Sequence, residues 1–199
     1  MFEIRKAKNI YNKDKKNCYN ETQFFSSFLT FEIIKSSYIF CKGKSIFYKF
    51  ETTVILFFLL MLLLREHLGE KEFKKIILTF RVKFVTSMKK IFPIKYRKSI
   101  LSAINNRYFF YLSLYESKNV SYSEIIEIII SEFSNIILTD ELKKSFSIYA
   151  DDSPLVVTSF SETLKNDMFI RDFFKKCFPP LMIYCDEYLE AYTAEQSKR

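Results

Sequence analysis

An uninterrupted apolar run constrains the fold of this chain most. Eleven consecutive apolar residues, 54–64, lie in the stretch ETTVILFFLLMLLLREHLGE, bounded by Glu51 and Arg65. In a helix the run covers about 16 Å, whereas the hydrocarbon core of a bilayer needs about 30 Å. Extension upstream would add Lys49 and Lys44, each costing ~3 kcal/mol near the bilayer centre. The run therefore predicts a helix over about 46–68 that is buried on all sides, and no transmembrane segment.

Glycine and proline are scarce, with two and four residues among 199. Sheets and phosphate-binding loops rely on glycine for positive φ angles, so this scarcity favours helices joined by short connections. A chain of this length is sufficient for one domain with a sizeable core. We predict an all-α, single-domain helical bundle of about eight or nine helices around the helix over 46–68.

Local start and stop signals divide the chain into helices. Asn20 is a suitable N-cap, Gly43 a suitable left-handed terminator, and Ser121 with Glu124 forms a capping box. Pro93 ends the helix before it. These signals and the apolar spacing predict helices over about 20–41, 46–68, 71–92 and 95–117, a helix that begins at 121, and shorter helices over about 140–150, 154–165, 167–178 and from 180 onward.

The N-terminal segment differs in composition from the rest of the chain. Residues 1–19 carry six basic and two acidic side chains and few apolar ones, which predicts a basic, mobile N-terminal arm before a single all-α domain over 20–199. The first residues lack a continuous apolar stretch, so no secretory signal is expected.

Four cysteines without C-x-x-C spacing are typical of reduced thiols, which predicts a cytoplasmic protein.

The sequence contains no recognisable catalytic motif. His67 is the single histidine; a general base beside Glu66 is one interpretation, and a positive charge at a helix C-terminus is the favoured one. Cys177 and Cys185 bracket the FPP segment, where buried thiols are favoured over a redox pair. We therefore predict no catalytic, metal or cofactor site, and a non-enzymatic protein.

Charge is distributed unevenly along the chain. Residues 71–107 hold 11 basic and 1 acidic side chain, whereas 108–199 hold 9 basic and 15 acidic ones. On the helix over 71–92 the lysines fall largely opposite the apolar stripe, so they predict an exposed basic face. The candidate binding residues are Lys71, Lys75, Lys83, Lys89, Lys90, Lys95, Tyr96, Arg97, Lys98 and Arg107.

Three kinds of partner could use this basic segment. An acidic protein surface, or a second copy of the chain, would make the protein an interaction module of a complex or homo-oligomer. Nucleic acid would bind through its phosphates, with Phe92 and Tyr96 available for stacking. An anionic membrane surface would attract the lysines peripherally. A fourth interpretation is a solvated face that reflects only a lysine-rich coding background. Our functional prediction is the first, with nucleic acid as the main alternative.

Two further features remain open from sequence alone. Arg107 lies among apolar positions and needs an anionic partner, either a ligand or, as favoured, an acidic residue of the C-terminal half. Tyr184, Tyr188 and Tyr192 repeat every four residues on the last predicted helix. This tyrosine stripe is consistent with a protein interface and equally with packing at the edge of the core.

Overall fold

All regular structure in the described parts of the chain is helical. The computed structural model describes residues 2–18, 20–118, 120–138 and 160–196, and no strand occurs within these ranges. The prediction of an all-α fold is therefore confirmed. The described elements are α1 (Phe2–Lys16), α2 (Glu21–Phe40), α3 (Ile46–His67), α4 (Glu70–Ile91), a short 3-10 helix (Ile94–Tyr96), α5 (Ile100–Lys118), α6 (Tyr122–Leu138) and α7 (Phe160–Gln196).

Helix α3 contains the long apolar run and is the most buried element. Every residue from Phe50 to Leu64 is buried, and α3 packs against α2, α4, α5, α6 and α7. Among the described helices it alone is long and apolar enough to cross a membrane, with a mean hydropathy of 2.0 over 18 residues. Other helices bury 78% of that window. Helices of this kind also form the centres of proteins that bind no membrane.

The residues predicted to start and end helices form the expected hydrogen bonds and backbone conformations. Asn20 Oδ1 accepts a hydrogen bond of 2.9 Å from the Gln23 backbone N–H at the start of α2. Gly43 follows the end of α2 with a φ of 81°, in the left-handed region that favours glycine. In the capping box, the Ser121 backbone N–H donates to Glu124 Oε2 at 2.8 Å and Ser121 Oγ accepts from the Glu124 N–H at 3.4 Å.

The segment predicted as a mobile arm forms α1, which packs against α2 and α4. Ala7 is buried, and the Tyr11 ring stacks on Phe31 at a centroid distance of 5.2 Å. Lys83 of α4 forms an ion pair with Asp14 at 3.0 Å. Apolar residues spaced about three apart along α1 make these contacts, a pattern that its high charge obscured in the sequence.

The C-terminal part of the chain differs from the prediction. One helix, α7, contains residues 160–165 of the helix predicted over 154–165 and both helices predicted after it, over 167–178 and from 180 onward. It continues through Pro179 and Pro180. Both prolines are exposed, so water can hydrate the carbonyls that lose a backbone partner. A buried stripe spaced three or four residues apart continues on both sides of them: Ile170, Phe173, Cys177, Leu181, Cys185 and Leu189. The helix predicted over 140–150 and the first residues of the one over 154–165 lie outside the described ranges.

Candidate functional site

The outer face of α4 combines basic and apolar side chains. Lys71, Lys75, Leu78, Val82 and Lys89 are all exposed, and the exposed fractions of Leu78 and Val82 are 66% and 56%. These five positions fall within about 60° of one another on a helix with 3.6 residues per turn. We call them the α4 stripe. Its apolar pair lies at the centre, and its lysines lie toward both ends.

Further basic residues follow the stripe in the sequence. Lys90, Arg97 and Lys98 are exposed there, and Lys95 lies in the 3-10 helix. Lys83 is not among the exposed lysines, because its ammonium pairs with Asp14 of α1 and only 27% of its side chain is exposed. Of the predicted lysines on α4, Lys71, Lys75, Lys89 and Lys90 are therefore exposed, whereas Lys83 is paired.

The aromatic residues predicted to stack on bases are part of the core. Phe92 and Tyr96 are 1% and 8% exposed. The Phe92 ring packs edge-on against Phe50 at a centroid distance of 5.6 Å, and the Tyr96 ring lies 6.0 Å from that of Phe47. Neither ring is available to an external base. Tyr96 is therefore a core residue and not, as predicted, a surface binding residue.

Arg107 belongs to a buried polar cluster between α3 and α5. It is 3% exposed, and its Nη2 and Nε lie 3.0 and 3.1 Å from Glu51 Oε1. The Tyr111 hydroxyl donates to the same carboxylate oxygen, and the Arg107 guanidinium lies 4.3 Å from the Phe110 ring centroid. Arg107 is therefore not a surface binding residue. Its partner comes from α3 and not, as favoured from the sequence, from the C-terminal half.

Burial and charge both change the protonation of this cluster. Burial alone would lower the pKa of Arg107, but the Glu51 carboxylate and Tyr111 together more than offset this effect and raise the pKa above its ordinary value. Burial, followed by the Glu51 charge, raises the pKa of Tyr111 well above its ordinary value. The Arg107 charge is thus retained and neutralised inside the protein, so it contributes little to the external field.

The tyrosine stripe of α7 faces the rest of the protein. Tyr188 stacks on Phe25 of α2 at a centroid distance of 3.6 Å, and Tyr184 packs edge-on against Phe28 at 4.9 Å. The Tyr188 and Thr22 hydroxyl oxygens lie 3.4 Å apart. Tyr192 is partly exposed and stacks on Tyr188 at 5.9 Å. These contacts favour the packing interpretation for Tyr184 and Tyr188.

The residues considered for catalysis lie in ordinary structural settings. His67 Nδ1 lies 2.9 Å from the Leu63 carbonyl, in the last turn of α3. Burial raises the pKa of both the Cys177 and Cys185 thiols to about 12, so they stay protonated near neutral pH. No group of three histidine, cysteine, aspartate or glutamate side chains suited to a metal ion occurs among the described residues.

Two features of this region are absent from the predictions made from the sequence. The first is the exposure of Leu78 and Val82, which the helical wheel already indicated because they lie opposite Phe80 and Phe84. The second is a cavity between α3, α4 and α5, lined partly by Leu78. No sequence pattern predicts such a cavity, because residues from three separate helices line it.

Comparison of the chain with models of protein families, with curated proteins and with solved structures finds no match. No relative therefore contributes a function, a partner or a residue role to the interpretation. The function has to be inferred from the chemistry and geometry of the surfaces described above.

Proposed function

We propose that this chain is a non-enzymatic interaction protein whose α4 stripe binds an acidic, amphipathic helix of a protein partner. The observation that carries the proposal is the exposure of Leu78 and Val82, at 66% and 56%, between exposed lysines on one helix face. Phosphate binding requires cations alone, so an apolar centre favours a protein partner over nucleic acid. Burial of two aliphatic side chains would supply much of the binding free energy.

The spacing of the α4 stripe suits a helical partner. Successive members lie three or four residues apart, with one interval of seven, and residues at such intervals share a seam in paired helices. From Lys71 to Lys89 the stripe spans about 27 Å at ~1.5 Å per residue. A partner helix of about 18 residues would cover that length. Its apolar side chains would contact Leu78 and Val82.

Charge complementarity defines the flanks of the partner. In the described part of the chain, ion pairs occupy Lys74, Lys83 and Arg107, whereas none occupies Lys71, Lys75 or Lys89. Acidic side chains on a partner helix would neutralise the three lysines, speed encounter and fix orientation. Two α4 stripes facing each other would juxtapose lysines, so a symmetric homodimer through this face is disfavoured.

The proposal includes the architecture and location of the protein. We propose a single helical domain of eight or nine helices around α3. The burial of α3 and its contacts with five other helices support this arrangement. Four free cysteines, three of them buried, support a reducing cytoplasmic location.

A labelled peptide tests the binding proposal. The probe is a helical peptide of about 18 residues, with leucine at every third or fourth position and glutamate on both flanks, followed by fluorescence anisotropy. We expect Leu78→Asp with Val82→Asp to weaken its binding at least tenfold, as the loss of ~1.5–3 kcal/mol of apolar burial implies. Met168→Asp with Ile183→Asp is the matched control, because it adds the same two charges at α7 positions that are 65% and 55% exposed.

Two outcomes would contradict the proposal. One is the absence of peptide binding to the wild-type protein at low salt. The other is equal binding by Leu78→Asp with Val82→Asp and by the control Met168→Asp with Ile183→Asp. Sedimentation of the wild-type protein alone shows whether it forms an oligomer. If a second copy occupies the α4 stripe, Leu78→Asp with Val82→Asp should dissociate that oligomer.

A further inference from the structure

A cavity of about 280 Å³ lies between α3, α4 and α5. Its floor consists of Phe57, Met61 and Ile104, which are at most 3% exposed. Ile77 and Leu78 of α4 form one wall. The cavity lies near the lower end of the ~300–1,000 Å³ range of small-molecule sites, and its mainly apolar lining is typical of them.

Polar groups are confined to a few residues that line the cavity. Arg81 Nη2 donates to Asn105 Oδ1 at 2.8 Å, which uses one of the five N–H donors of the guanidinium. Lys74 Nζ lies 2.6 Å from Glu70 Oε1, and both side chains are exposed. Burial raises the pKa of Tyr108, despite the opposing charges of Arg65 and Arg81, so its hydroxyl remains a donor near neutral pH. Two cations and neutral donors thus accompany the apolar floor.

We infer that this cavity binds a small carboxylate with an unbranched apolar tail, of the chemical class of medium-chain fatty acids. The tail would lie on Phe57, Met61 and Ile104, and the carboxylate would accept hydrogen bonds from Arg81. Guanidinium and carboxylate groups match in planar geometry, and an apolar floor excludes a small hydrophilic anion. The inference does not depend on the function proposed for the α4 stripe, although Leu78 borders both sites.

Calorimetric titration of the purified protein with octanoate, decanoate and dodecanoate tests this site, each kept below the concentration at which it forms micelles. We expect one molecule bound per chain. Affinity should rise about fourfold per added methylene until the tail fills the cavity. Decanol, which has the tail without the charge, should bind at least about tenfold more weakly than decanoate.

Variants assign the binding to the cavity. Arg81→Gln should weaken decanoate binding about tenfold because it removes a charge-assisted hydrogen bond. Arg171→Gln is the matched control: it removes the same group from an exposed position on α7, outside the cavity lining, and should leave affinity unchanged. Ile77→Phe should shorten the longest tail that binds well, because a larger side chain reduces the cavity volume.

Two outcomes would overturn the inference. One is the absence of saturable binding. The other is binding that Arg81→Gln and Arg171→Gln affect equally, which would indicate general attraction to the positive charge of the protein. Failure here is distinguishable from failure of the proposed function, because the peptide assay uses Leu78→Asp with Val82→Asp and contains no fatty acid. If Arg81→Gln weakens the acidic peptide while decanoate does not bind, the cavity belongs to the protein interface and the small-molecule site is excluded.

Discussion

Two cationic regions of this protein lie within the same segment of sequence but differ in how their charge is balanced. Arg107, inside the domain, is matched by Glu51 and Tyr111, and its guanidinium lies against the Phe110 ring. The lysines of the α4 stripe, on the outside, surround exposed Leu78 and Val82. The buried charge is neutralised by the fold, whereas the exposed charge is left for solvent or a partner. Sequence position alone does not distinguish the two.

The largest effect is expected where the buried pair is broken. Glu51→Ala leaves the Arg107 guanidinium buried without a carboxylate, so we expect a loss of ~3–5 kcal/mol in the free energy of unfolding. Urea denaturation measures it. The double variant Glu51→Leu with Arg107→Met should be less destabilised than Glu51→Ala, since it removes both charges and retains apolar volume. Equal stability of Glu51→Ala and the wild type would show that the pair is not buried.

The exposed ion pair between Glu70 and Lys74 should contribute far less to stability than the buried pair. Glu70→Ala removes the carboxylate that pairs with Lys74, and more than 70% of each side chain is exposed. We expect no measurable change in the free energy of unfolding, because water screens the pair. A loss as large as that of Glu51→Ala would remove the distinction between the interior and the surface of α4.

The next largest effect concerns the tyrosine stripe of α7. Tyr188→Ala removes a ring stacked on Phe25, so we expect a destabilisation of ~3 kcal/mol, at the lower end for buried aromatic residues. Tyr192→Ala should cost less, because Tyr192 is at the outer end of the stripe. Thermal or urea unfolding measures both. If Tyr188→Ala changed the free energy of unfolding little but abolished self-association, the tyrosine stripe would be a protein interface.

The buried Cys185 thiol makes the free energy of unfolding depend on pH, whereas an exposed thiol would not. Burial raises the pKa of Cys185 from an ordinary 9.0 to about 12. Above pH 9 the unfolded chain loses this proton first, so the stabilising contribution is complete below pH 9 and is lost as pH rises toward 12. At pH 10 we expect Cys185 to account for a loss of ~1.4 kcal/mol. The difference in pH dependence between the wild type and Cys185→Ala isolates this contribution, and identical profiles would show that Cys185 is not buried.

The smallest effect on stability is expected at the apolar centre of the α4 stripe. Leu78→Asp and Val82→Asp place charges at exposed positions, so each should change the free energy of unfolding by ~0.5 kcal/mol or less. Chemical denaturation alongside the peptide assay separates folding from binding. A loss of several kcal/mol would mean that Leu78 and Val82 are buried in the folded protein and do not form a docking surface.

Much of the fold could be predicted because its determinants are local. The apolar run of α3, the Asn20 cap, Gly43, Pro93 and the Ser121–Glu124 capping box each act within a few residues, and the helix bounds follow from them. The lysines of α4 were likewise placed outside by the helical period.

The features that escaped prediction depend on residues far apart in sequence. The pairing of Arg107 with Glu51 joins α5 to α3, and only the packed structure determines which acid is near. Continuation of α7 through Pro179 and Pro180 follows from burial on both sides, which outweighs local proline chemistry. The burial of Tyr96 and the cavity also depend on how separate elements pack.

The most direct test of the central claim compares two labelled probes, the acidic amphipathic peptide and single-stranded RNA, by fluorescence anisotropy at about 50 to 300 mM salt. The proposal of an apolar and basic docking surface leads us to expect tighter binding of the peptide, persistence of that binding at high salt, and its loss in Leu78→Asp with Val82→Asp. RNA that binds more tightly than the peptide, weakens steeply with salt and is unaffected by these substitutions would contradict it. The face would then be a phosphate-binding surface.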